Sequence, residues 1–86
     1  MKCPCCGNYY DIYNFGDGMD GIGEICPICF WQYDIVDQKI KIIPMGPNRV
    51  SLIDARKNYK KFGASSERVA PYVRKPYFDE LPENNE

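Results

Sequence analysis

Apolar and polar residues alternate in short runs through the first half of the chain, and the period changes near residue 50. Tyr9-Tyr10-Asp11-Ile12-Tyr13 is aromatic and β-branched, as a short strand requires. Trp31, Tyr33 and Ile35 alternate with Gln32 and Asp34, so Phe30 to Ile35 reads as a second strand. Lys39-Ile40-Lys41-Ile42 alternates again, a strand with one wet face. Between the first two runs, Gly16, Gly18, Gly21 and Gly23 crowd one loop, the expected turn of a hairpin. Pro44-Met45-Gly46-Pro47-Asn48 reads as a closing loop. From there the spacing is helical: Leu52, Ala55, Tyr59 and Phe62 share one face. Ser51 supplies the N-cap, with Asp54 three residues on, and Gly63 supplies the C-terminal stop. Ser66 to Ala70 begins a shorter helical turn that Pro71 limits.

The pattern predicts an α+β protein. A small antiparallel ribbon is followed by one helix at 52–62 and a short helical turn near 66–70. With 86 residues the chain has room for one domain, drawn here as residues 1–76, with 77–86 as a flexible acidic tail. A chain this short buries only about 60–65% of its unfolded surface, so its core needs reinforcement. Seven Tyr, four Phe and one Trp supply part of that core. The absence of His excludes His-based catalytic triads, His-ligated catalytic metals and the Cys₂His₂ finger. No run approaches the apolar length of a membrane span, and Met1-Lys2-Cys3-Pro4 is no secretion signal, so the expected address is the cytoplasm.

The reinforcement is expected from the cysteines. Cys3-Pro4-Cys5-Cys6-Gly7 and Cys26-Pro27-Ile28-Cys29 each contain C-x-x-C, and 19 residues separate the pairs. Two residues between cysteines let a tight turn aim both thiolates at one ion, and two such turns complete a tetrahedron. Pro after the first Cys of each pair fixes φ, and Gly7 permits the positive φ on which the first turn closes. Cys3, Cys6, Cys26 and Cys29 are therefore the candidate ligands of one structural Zn²⁺, in two knuckles of a zinc-ribbon-like fold. Cys5 is left over, either a reactive thiol beside the metal or a small buried residue. Two rival readings use the same cysteines: a pair of disulfides, which leaves an odd Cys, or a redox C-P-x-C at Cys26 to Cys29, which requires a helix start there. Gly16-Asp17-Gly18-Met19-Asp20-Gly21 matches G-x-G-x-x-G, but no helix follows, and its acids lack calcium-loop spacing.

Charge is segregated. Residues 1–37 carry −5, residues 38–76 carry +8 and residues 77–86 carry −4, for a net −1. Arg56, Lys57, Lys60 and Lys61 form a basic helical patch, and Trp31 heads the aromatic run. These five are the candidate partner-binding residues, although an aromatic run is more often core and a basic helix face more often solvated.

The combination resembles the cysteine-rich CPCC domain family. The resemblance rests on Cys3-Pro4-Cys5-Cys6-Gly7, Glu24-Ile25-Cys26-Pro27-Ile28-Cys29-Phe30-Trp31, Gly46-Pro47-Asn48 and Val50-Ser51-Leu52. It continues through Ala55-Arg56, Asn58-Tyr59, Phe62-Gly63-Ala64, Glu67-Arg68, Pro71 and Val73-Arg74. It implies a small bacterial zinc-ribbon-like protein, some of whose relatives resemble the immunity partners of bacterial toxins. The expectation is a non-enzymatic zinc-binding, protein-interaction module, with an immunity protein or antitoxin as its sharper form and a toxin as partner. The alternative is a nucleic-acid-binding zinc ribbon using the basic helix.

Overall fold

The structure, a computed structural model, describes residues 2–10 and 24–85. The expected Gly16–Gly23 turn and the second half of the Tyr9–Tyr13 run lie outside them.

Two knuckles built to one plan form the centre. In the first, the Cys3 amide donates to Asn8 O and the Gly7 amide to Cys3 O. In the second, 23 positions on, the Cys26 amide donates to Trp31 O and the Phe30 amide to Cys26 O. The residue closing each turn has left-handed backbone, with φ 79° at Gly7 and 71° at Phe30. Glycine adopts that conformation freely, whereas a phenylalanine does so at a cost of about 1–2 kcal/mol. Each turn ends in one antiparallel bridge, Lys2 with Tyr9 and Ile25 with Gln32.

The expected antiparallel sheet is not formed among the described residues. Among the described residues those two isolated bridges are the only β pairing, beside two α-helices and three 3-10 turns. The reason is local. Phe30 bends the chain where the second strand would start. Beyond it, the main chain of Gln32 is paired by a side chain: its amide donates to Asn48 Oδ1 at 2.7 Å, and its carbonyl accepts from Asn48 Nδ2 at 2.9 Å. A ladder partner is thereby replaced. Asp34 then accepts from the Asp37 amide and caps helix α1, Ile35–Lys39, so the run that alternated like a strand turns helical. The Lys39–Ile42 run leaves the end of α1 as a turn, with Ile40 and Ile42 exposed.

One carboxylate holds this region. Asp37 is 1% exposed and accepts from the amides of Met45, Gly46 and Asn48 and from Asn48 Nδ2. Gly46 is required by space: a Cβ there would lie 2.7 Å from Asp34 Oδ2 and 2.8 Å from Asp37 Oδ2.

Helix α2 spans Leu52–Phe62. Ser51 Oγ accepts from the Asp54 amide, and Gly63 closes the helix with φ 75°. Its apolar face places Leu52 and Ala55 in a core with Trp31, Ile28, Tyr10 and four of the cysteines. It also ties down the first knuckle, because Arg56 Nε donates to Pro4 O and Asn8 Nδ2 donates to Tyr59 OH. The chain after α2 ties down the second knuckle: the Ser65 amide donates to Cys29 O at 2.7 Å, ahead of a 3-10 turn at Glu67–Tyr72.

Residues 77–85 carry two further 3-10 turns, Phe78–Glu80 and Pro82–Asn84. Glu80 O accepts from the Tyr9 amide, and the Glu80 carboxylate takes both ends of the Arg74 guanidinium at 2.6 and 2.9 Å. Arg74 also lies over the Tyr77 ring, 3.8 Å from its centroid. The acidic segment is thus joined to the first knuckle through Glu80, across the boundary expected at residue 76.

Two outcomes are expected. Gly46→Ala and Asp37→Ala should each lower stability by about 2 kcal/mol or more in denaturant titrations, one by forcing the carboxylates apart and the other by orphaning buried donors. Arg74 holds the Glu80 carboxyl below its usual range. Its contribution is therefore present above the unfolded value near 4.3 and is lost as pH falls through the lower folded value. The stability difference between wild type and Glu80→Gln should shrink as pH is lowered in melts from pH 7 to 3.

Candidate metal centre

The two knuckles face each other and bring Cys3, Cys6, Cys26 and Cys29 together, their sulfurs all within 4.8 Å of one another. Cys3 Sγ lies 3.5 Å from Cys29 Sγ, and Cys6 Sγ lies 3.8 Å from Cys26 Sγ. A tetrahedral ion about 2.3 Å from each of four thiolates sets the sulfurs about 3.8 Å apart, so the cage fits such an ion. A disulfide needs sulfurs about 2.05 Å apart, and all five cysteines are free. The redox arrangement also lacks its context, because Cys26 opens a turn rather than a helix.

Cys3, Cys26 and Cys29 are wholly buried and Cys6 is half-buried. The Ile28 amide donates to Cys26 Sγ at 3.4 Å, a main-chain donor that favours a thiolate. The four sulfurs influence one another's protonation. The bond with Cys26 pushes the Cys3 and Cys29 thiols up. Cys6 is drawn down by its bond with Cys26, and Cys26 by its bond with Cys29. Four thiolates at these distances repel one another in a dry interior, and a cation at their centre removes that repulsion. Nearby phenols respond as well: burial pushes both Tyr10 and Tyr59 up.

Cys5 stands outside this group. It is buried in the core cluster as a small apolar side chain. Trp31 is 0% exposed and donates Nε1 to Gln38 Oε1 at 3.4 Å, so it belongs to the core and offers no contact surface. The four basic candidates separate. Arg56 is partly spent on Pro4 O, and Lys61 lies 5.2 Å from the Phe62 ring centroid, while Lys57 and Lys60 are exposed on α2. Sequence reasoning missed Asp37 and Asn48, the residues that hold the loop beside the second knuckle. The available signal was an acid at 37 preceding Gly46-Pro47-Asn48, a turn whose free amides need an acceptor.

Two matched knuckles around a single thiolate cage, covered by one helix, define a small cysteine-rich domain able to hold one metal ion. The family model for cysteine-rich CPCC proteins matches residues 1–80, and the chain belongs to that family. No curated protein and no solved structure gave a match. Among the described residues no helix is long and apolar enough to cross a membrane.

Cys26→Ser should abolish stoichiometric metal and the cooperative melt, because metal binding supplies about 10–16 kcal/mol of folding energy in small zinc peptides. Cys5→Ala should keep the metal and lose about 1 kcal/mol. Elemental analysis beside thermal melts checks both. The ion displaces thiol protons, so its apparent affinity should fall as pH falls, measured by chelator competition.

Proposed function

We propose that the chain is a non-enzymatic protein-interaction module whose scaffold is held by one structural Zn²⁺ on Cys3, Cys6, Cys26 and Cys29. The observation that carries this reading is the closed, buried cage. A fourth thiolate occupies the position that a catalytic metal leaves open for water or substrate, which leaves the surface as the place of function. Thiolate donors and tetrahedral spacing favour zinc. Five cysteines outside any disulfide, four of them on the metal, suit a reducing compartment.

The sharper form of the proposal is an immunity protein or antitoxin that binds and blocks a cognate bacterial toxin. The resemblance of some CPCC proteins to immunity partners motivates it, and the segregated charge suits electrostatic recognition of a protein partner. Nucleic-acid binding is the second reading, favoured by Lys57 and Lys60 exposed on α2. The net charge of −1 weighs against it.

The test is binding and protection by the purified zinc-loaded protein against the products encoded beside its gene. A stable complex and rescue of growth when one such product is expressed are expected. Neither binding nor protection would overturn the immunity reading. Binding to a 20-base-pair duplex or single strand at 50 mM salt, lost steeply by 300 mM, would favour the second reading.

A further inference from the structure

Helix α1 and the loop after it leave aliphatic side chains in solvent. Ile42 is 72% exposed, Met45 58%, Ile43 50%, Ile35 47%, Val36 46% and Ile40 39%. All six lie within 11 residues, and hydrogen bonds hold them to one region. The Ile40 amide donates to Val36 O, and the Met45 amide to Asp37 Oδ1. The Ile53 amide donates to Lys41 O, which sets the first turn of α2, with its exposed Ile53, beside the loop. A small chain short of core material is thus spending aliphatic residues on its surface, which marks an interaction site. The loop is pinned by the Asp37 carboxylate, so the surface is formed before any partner arrives.

The rim is basic. Lys39, Lys41 and Arg49 are exposed around the loop, and Lys57 lies one helical turn beyond Ile53. None of the four makes an ion pair among the described residues. Two acids near the rim are at least partly exposed, Asp54 and Asp34, the latter spent on capping α1, and Asp37 is buried and spent on the loop. Two copies meeting through this face would set these cations against each other, which disfavours self-association. The side chains are aliphatic and give no stacking platform for bases, which disfavours single-stranded nucleic acid.

We propose that this face is the docking surface for an acidic, apolar segment of a different protein. Its aliphatic side chains would cover Ile42, Ile43 and Met45 while its carboxylates meet Lys39, Lys41 and Arg49. The inference rests on the protein-interaction reading and adds the chemistry of the partner.

The probe is a 14-residue amphipathic peptide of Leu and Glu, with a Leu and Lys counterpart, titrated into ¹⁵N-labelled zinc-loaded protein. The acidic peptide should shift the amides of residues 35–45 and Ile53, and its counterpart should bind at least about tenfold more weakly. Ile42→Asp should weaken the acidic peptide about tenfold or more with metal content and melting temperature unchanged, since the side chain is mostly exposed. Equal binding of the two peptides, or shifts confined to another face, would overturn the proposal. So would tighter binding to phosphatidylglycerol vesicles, or a dimer that Ile42→Asp disperses. If a gene-neighbour product binds wild type and Ile42→Asp equally, this inference fails while the protein-interaction reading stands. If no product binds, the reading fails with it.

Discussion

Four sulfurs, three of them wholly buried and the fourth half-buried, are held within 4.8 Å of each other, and the rest of the molecule is arranged around that fact. Each pair of thiols is short-range in sequence, so either knuckle can form its turn alone. Bringing the pairs together joins chain segments 20 or more residues apart and concentrates negative charge where water cannot screen it. A metal ion reverses the sign of that interaction. The core then grows outward from the cage: Cys3, Cys26 and Cys29 are candidate ligands and core residues at once, flanked by Ile28, Trp31, Leu52 and Ala55. In a chain of 86 residues this double use offsets the shortage of apolar volume.

The second economy lies in how the main chain is satisfied. A ribbon would pair its amides and carbonyls across a sheet. Here side chains take that place. Asn48 pairs with both main-chain groups of Gln32, Asp37 gathers the amides of the 45–48 loop, and Asn58 Nδ2 donates to Ser65 O. These bonds are specific to residue and position, so the fold tolerates irregular backbone that a sheet would not.

The same contrast explains what could be read from the sequence. The metal cage was legible because the chemistry of tetrahedral thiolates dictates the spacing of Cys3, Cys6, Cys26 and Cys29. Helix α2 was legible because Ser51, the 3.6-residue period and Gly63 agree. The strands were misread because alternation reports a period but not a partner. Ile40 and Ile42 alternate with lysines yet face solvent, and Phe30 takes a left-handed turn that its side chain gives no hint of. The role of Asp37 was missed because its partners, three backbone amides and Asn48 Nδ2, lie 8 to 11 residues away, and the one hint was an acid ahead of the Gly46-Pro47-Asn48 turn. Trp31 was offered to a partner, but the small core claims it completely.

Function follows from what the scaffold leaves over. The cage lies inside the fold, whereas the loop after α1 leaves aliphatic side chains exposed among Lys39, Lys41 and Arg49; on the proposed reading the centre supplies order and the surface supplies recognition. The central claim is that one ion on four thiolates makes that order. Its most direct test is zinc-edge X-ray absorption, with elemental analysis, on protein purified without added metal. One zinc per chain with four sulfurs at about 2.3 Å and no nitrogen or oxygen neighbour is the predicted result. A folded chain without stoichiometric metal, or a metal whose shell contains oxygen or nitrogen, would contradict it.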